Sequence, residues 1–328
     1  MISNLVLVAP DAFKGSLPAS RVARAIARGL QTDGRLQADL CPLADGGEGT
    51  TQVLVDALGG TLESVQVSDP LGRPLKARFG LLGDGETAVV EVAQASGLAL
   101  LRDSERDAVA ASSKGTGQLV LAAVAAGARR VLLAAGGSAS TDGGTGAIEA
   151  IERGGGLRGA QLEVLCDVQA PFEQAATRYA PQKGADAAAV ARLQARLTRL
   201  ARRLPRDPRG RPMGGAAGGL AGGLWAHYDA PLRAGAVYVL DVLEFDARMR
   251  RAHAVIVGEG ALDQTTLEGK VAFEAATRAR QAGVPAYAVV AHNLLERFDA
   301  RILDLQLILE ARTERSLVNA GKKLAARI

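Results

Sequence analysis

At 328 residues, with 48% hydrophobic but only 3% aromatic residues, the chain can fill more than one core from Ala, Val and Leu. That composition suits helix-on-sheet layers. No run of about 18 apolar residues is free of charges and glycines, so a membrane-spanning helix is not expected and a cytoplasmic address is. The net charge of +4 is spread along the chain with few stacking aromatics, which argues against a nucleic-acid partner.

In chain order, an apolar run at 5–9 ends at Pro10 and predicts a buried strand, and 18–30 repeats apolar residues at helical spacing. A weaker strand at 36–40 leads through the Asp45 loop to a helix at 49–58. Alternating β-branched segments at 61–67 and 76–92, joined by the turn signals at 69–72 and 83–85, suggest a change of domain near residue 70. A helix at 116–126, a strand at 130–135 and a glycine-rich loop from Gly136 form another αβα unit. A strand at 162–166, a helix at 185–204, a surface loop at 205–215 and a glycine-rich helical stretch at 215–226 follow. Strands at 254–257, 286–290 and 305–309 alternate with helices, and 316–327 reads as a terminal helix. Cys41 and Cys166 lack the spacing of a zinc site and are expected to pack in cores.

Five segments bear the chemistry, each at a predicted strand-to-helix or strand-to-loop handover: 9–16, 44–50, 136–144, 181–185 and 258–266. Ligands of open α/β sheets bind beyond the carboxyl ends of the strands, and bare glycine amides there favour an anion. In the third segment Gly136, Gly137 and Gly143 leave N–H groups unobstructed, and Ser138 and Ser140 add hydroxyl donors. The following helix offers its positive end, which Asp142 could cap, or Asp142 could reach a magnesium ion. Asp45 and Glu48 flank a Gly-Gly pair, an arrangement that suits metal binding, proton removal or hydrogen bonding to substrate hydroxyls, or a helix cap from one of them. Asp11 and Lys14 offer opposite charges after the first strand. Glu259, Asp263 and Lys270 share the loop expected after the strand at 254–257.

The chain uses seven lysines against 32 arginines, yet Lys14, Lys114, Lys183 and Lys270 lie in or beside these segments. A compact ammonium fits phosphate or carboxylate without a guanidinium's fork, so their survival there is read as chemical. The three histidines, His227, His253 and His292, are not spaced for metal and are expected to be structural or exposed. The arginines at 192–206 follow helical spacing and read as a solvated helix face.

Taken together, APDAFKGSL, PLADGGEGT, GGSASTDGG, CDV, PQKGA, GAAGGL and GEGALD, in this order over nearly the whole chain, resemble the motifs of the bacterial type I glycerate kinases. The resemblance implies ATP-dependent phosphorylation of D-glycerate at the 2-hydroxyl. It also implies an α/β fold of two domains, one Rossmann-like and built from both chain ends, the other flavodoxin-like and inserted, with the site in a cleft between them. With the pattern change near residue 70, that places the domains at 1–69 with 243–328 and at 70–242.

In this reading Asp263, Asp45 and Lys14 are catalytic, with Asp263 favoured as base. Asp11, Lys14, Ser16, Glu48 and Lys270 bind substrate. Gly136, Gly137, Ser138, Ser140, Gly143 and Lys183 bind the nucleotide phosphates, and Asp142 and Glu259 hold magnesium. The expected ligands are D-glycerate, ATP and Mg²⁺, for a monomer or homodimer. The chain departs from the family pattern in a shortened 148–165 stretch, in Ala170-Pro171-Phe172 and in Gln264-Thr265. Other readings stay open: a kinase for another small hydroxy acid, a non-catalytic nucleotide- or acid-binding relative, and a dinucleotide oxidoreductase, which lacks its G-x-G-x-x-G.

Overall fold

A computed structural model describes residues 4–13, 15–264, 266 and 269–328. Among the described residues eleven strands occur, in the order β1 (Leu5–Pro10), β2 (Gln37–Leu40), β3 (Gly60–Ser68), β4 (Pro74–Leu82), β5 (Thr87–Glu91), β6 (Arg130–Ala134), β7 (Gln161–Cys166), β8 (Leu232–Ala234), β9 (Ala254–Leu262), β10 (Ala286–Asn293) and β11 (Leu305–Glu310). They form two sheets in two units, the first made of 1–45 with 236–328 and the second of 46–235.

The first unit is a parallel sheet in the order β11-β10-β9-β1-β2. Its interior strand β1 reads as an unbroken apolar run because helices cover a parallel sheet on both faces. Val6, Val8 and Ile256 pack with Ile26 of helix Ala19–Leu30 and Leu317 of helix Glu314–Ala325. The terminal helix starts where Thr313 accepts from the Ser316 amide. The sheet order reverses direction between β1 and β9, and such switch points are where open α/β sheets place ligands.

The second unit is a mixed sheet in sequential order, β3 to β8, antiparallel across β3–β4–β5 and parallel from β5 to β8. Val90, Leu119, Leu133, Ile151, Val164 and Leu224 form its core. A smaller cluster sets Phe172 against Leu193 and Leu197 of helix Ala187–Ala201, whose Asp186 cap accepts from the Ala189 amide at 2.7 Å.

The α/β class is as the sequence leads one to expect, but the finer labels change. The unit built from both chain ends has the 2-1-3-4-5 order of flavodoxin-like sheets rather than a 3-2-1-4-5-6 order. The second unit carries an antiparallel edge that a flavodoxin-like sheet does not. The boundary expected at 69/70 falls within one sheet, since β3 pairs with β4 along its full length, from Gly60↔Leu82 to Ser68↔Pro74. The first junction lies at 45/46, inside the PLADGGEGT motif. Cys41 and Cys166 are buried and unpaired. No described helix is long and apolar enough to cross a membrane.

Candidate functional site

The first unit holds a cavity of about 490 Å³ at the carboxyl ends of its strands, lined in part by Asp11, Ser16, Asp45, Glu259, Lys270, His292 and Arg312. Asp11 follows β1 directly, and its amide donates to the Gly258 carbonyl at 2.8 Å, extending the β1–β9 ladder to the switch point. Its carboxylate accepts from the Ala12 amide at 2.6 Å. Ser16 lies in the tight turn closed between Phe13 and Leu17, and its hydroxyl donates to the Phe13 carbonyl at 2.9 Å. Lys14, expected to be both catalytic and substrate-binding, lies outside the described residues.

Glu259 sits on β9, not on the loop expected there. The strand continues through Gly258-Glu259-Gly260 because β10 supplies ladder partners, with Glu259 opposite Val290 and Ala261 opposite His292. The Glu259 side chain is buried, and its Oε1 has no hydrogen-bond partner among the described residues. Burial pushes its pKa up to about 7, against the opposing pull of the Lys270 ammonium. Lys270, at the cap position of helix Val271–Gln281, places Nζ 3.4 Å from Glu259 Oε2 and 3.4 Å from Asp263 Oδ1. One ammonium thus bridges a buried carboxylate and a more exposed one. His292 and Arg312 join this cavity, a role for which the sequence carried no stronger signal than a position after a strand.

The second unit gathers a glycine- and serine-bearing loop at the end of β6. Residues 135–144 connect β6 to helix Thr145–Arg153, and neighbouring segments pin the loop: Ala139 donates to Ser96, Leu98 to Gly137, and Gly143 to Gly218. The glycines at 218–219 back it closely. A Cβ on Gly218 would lie 2.1 Å from the Ser140 carbonyl oxygen, and its φ of +67° belongs to the left-handed region.

Lys183, only 3% exposed, reaches from the PQKG turn to donate to Ser138 Oγ at 2.9 Å and to the Ser140 carbonyl at 2.6 Å. Burial lowers its pKa to about 8, opposed by the Asp142 and Asp167 carboxylates. The amides of Gly137 and Ser138 engage no backbone acceptor among the described residues, and the buried Ser140 and Thr141 hydroxyls have no partner. Free amides, hydroxyls and an ammonium within one loop suit an anion such as phosphate.

Asp142 takes the capping alternative. Its Oδ2 accepts from the Ser113 amide and hydroxyl, both at 2.8 Å, and from the Gly146 amide at 3.2 Å, while Oδ1 accepts from the Gly144 amide at 3.1 Å. A carboxylate so engaged is not placed to hold magnesium, and it fills the helix end expected to attract the anion. The phosphate-suited positions are therefore Gly136 to Ser140.

Glu48 is exposed and lies in the second unit, whereas Asp45 is buried and belongs to the first. The helix cap that either could have supplied comes instead from Glu91. Among the described residues no group of three or more His, Cys, Asp or Glu side chains could hold a metal ion. Magnesium bound through only one or two carboxylates, the usual manner for this cation, needs no such group.

The molecule is an α/β protein with a cavity lined by acidic and basic side chains at the strand ends of one unit, and in the other a glycine- and serine-bearing loop over a buried lysine. The model of the glycerate kinase family matches residues 6–155 and 154–304. The chain is 39% identical to a glycerate kinase of Halalkalibacterium halodurans, with 87% of this chain and 85% of the relative covered. It is 34% identical to the glycerate 2-kinase of Escherichia coli, with 84% and 82% covered. A crystal structure from Salmonella typhimurium LT2, provisionally named glycerate kinase 2, superposes with a TM-score of 0.80 at 33% identity, covering 98% of this chain and 97% of that one. The chain belongs to the glycerate kinase family, and it is a kinase.

Proposed function

We propose that the protein transfers the γ-phosphoryl group of ATP to the 2-hydroxyl of D-glycerate, giving 2-phosphoglycerate and ADP. The observation that carries the reading is Lys183, buried beneath the 136–140 loop and bonded to Ser138 and Ser140, where a phosphate would meet free amides and an ammonium. Family membership supplies the substrate class, and the name of the Escherichia coli relative supplies the 2-position. Magnesium carried by the nucleotide neutralises charge on its phosphate oxygens.

In this reading the first unit's cavity takes the acid. Asp11 and Asp45 hydrogen-bond its hydroxyls, Ser16 lines the mouth, and Lys14 and Lys270 supply positive charge. Glu259 is better suited than Asp263 to accept the hydroxyl proton. It combines burial, an unpartnered oxygen and a pKa near the working pH, the properties a general base needs. Asp263 then acts by holding Lys270. The second unit's loop takes the phosphates through Gly136, Gly137, Ser138, Ser140 and Lys183, with Gly143 shaping the turn. Phosphoryl transfer asks mainly for positioning and charge stabilisation, so no covalent nucleophile is needed.

The test is a panel of small hydroxy acids with Mg-ATP, reading ADP release. D-glycerate is expected to be the preferred acceptor. Preference for another acid would replace the substrate, and nucleotide binding without ADP release would overturn the reading.

A further inference from the structure

Two glycine-rich turns of the second unit lead into helices, and a carboxylate already closes each helix end. Asp142 does so for helix Thr145–Arg153. For helix Thr50–Leu58 the carboxylate comes from 40 residues away in sequence. Glu91 ends β5, opposite Ala134 of β6, and is only 2% exposed. Its Oε1 accepts from the Gly49 amide at 3.1 Å and from the Thr51 amide at 2.7 Å. The cap residue Gly49, at φ +95°, has no side chain with which to cap the helix itself.

The turn held in this way is also the backing of the phosphate loop. The Gly136 amide donates to the Gly46 carbonyl at 3.3 Å, and a Cβ on Gly136 would lie 2.6 Å from Gly47 Cα. A shift of the 46–49 backbone by a few tenths of an ångström therefore moves Gly136, because no compressible side chain lies between them. The buried carboxylate also occupies the end of the helix dipole where a phosphate would otherwise be attracted.

We propose that Glu91 is a positioning residue for the nucleotide-phosphate loop, fixing the 46–51 turn against Gly136 and closing helix Thr50–Leu58 to phosphate. The proposal rests on the assignment of residues 136–140 as the phosphate site. Glu91 bonds to the backbone amides of Gly49 and Thr51, with the Thr51 side chain beside it, so its action on the loop passes through Gly46 and Gly47. One side-chain oxygen serving two N–H groups can be supplied by Gln as well as by Glu. Alanine leaves both amides without an acceptor, and Asp withdraws the oxygen by one methylene.

The experiment compares wild type, Glu91→Gln, Glu91→Ala and Glu91→Asp by steady-state kinetics with ATP and D-glycerate and by amide hydrogen exchange without ligand. Glu91→Ala is expected to raise KM for ATP about tenfold, the effect of roughly one lost hydrogen bond of the stronger kind, with KM for D-glycerate within about twofold of wild type. Glu91→Gln restores KM for ATP to within about threefold. Exchange in Glu91→Ala rises at 46–51 and also at 136–140. Glu91→Asp replaces Glu91→Ala if the latter does not fold.

Equal rises in both KM values, a Glu91→Gln enzyme as impaired as Glu91→Ala, or faster exchange confined to 46–51 would each overturn the proposal. If wild type releases no ADP with D-glycerate, the D-glycerate assignment fails instead. The exchange comparison still decides whether Glu91 controls the loop.

Discussion

Replacing Lys183 by Met removes the ammonium from beneath the phosphate loop while keeping an unbranched side chain of similar length. The lost bonds to Ser138 Oγ and the Ser140 carbonyl are charge-assisted, each worth about 1.5–3 kcal/mol, but the variant also escapes the cost of burying a charge. Net stability should therefore change little. The loss of a preorganised positive group at a phosphate is worth about 3–4 kcal/mol, so kcat/KM for ATP should fall roughly 10²–10³-fold. Arginine should not rescue it, because a guanidinium does not fit a site 3% exposed and set by two short contacts.

Wild type adds a second signature. With a pKa near 8, Lys183 is about nine-tenths charged at pH 7 and about one-tenth at pH 9. The free-enzyme profile of kcat/KM for ATP should therefore drop as pH rises through 8. Stability moves the other way. Between pH 8 and 10.5 the unfolded lysine holds a proton that the folded one has released, so Lys183 makes unfolding harder as pH rises, by at most about 1.4 kcal/mol per unit. Steady-state kinetics and urea melts from pH 7 to 9.5 test both. A flat kcat/KM profile, or Lys183→Met within threefold of wild type, would remove Lys183 from the phosphate site.

Asp142→Ala strands the Ser113, Gly144 and Gly146 amides and should cost about 2–4 kcal/mol in urea unfolding, whereas a change in magnesium dependence with stability intact would restore the metal role. Glu259→Gln should lower kcat about 10²–10⁴-fold, and Asp263→Asn less, with little change in melting temperature; the reverse order in single-turnover rates would return the base to Asp263. Because the folded pKa of Glu259 is raised from 4.5 to about 7, the folded state holds the extra proton in that window and wild type loses stability as pH climbs through it. Urea melts of Glu259→Gln at pH 5 and 7.5 should lack that component. Gly218→Ala should push the Ser140 carbonyl and reduce ATP turnover, and full activity would show that the backing of the loop is unimportant.

The glycine and carboxylate segments were legible because each is a local pattern at the end of an apolar run, and the fold class followed from the alternation of strands and helices. What escaped the sequence was set by distant partners. Gly258-Glu259-Gly260 looks like loop until β10 is laid beside it. Asp142 becomes a cap rather than a metal ligand because Ser113, 29 residues upstream, donates two hydrogen bonds to it. Glu91 reads as one polar residue closing an apolar strand, and only tertiary contact brings it to Gly49. The 45/46 junction lies inside a motif with no linker composition, while the visible turn at 69–72 merely joins two paired strands.

Incubating the protein with Mg-ATP and D-glycerate and identifying the phosphorylated product tests the assigned reaction. ADP and 2-phosphoglycerate are expected in equal amounts. Formation of 3-phosphoglycerate, or no ADP above the level without acid, would contradict that assignment.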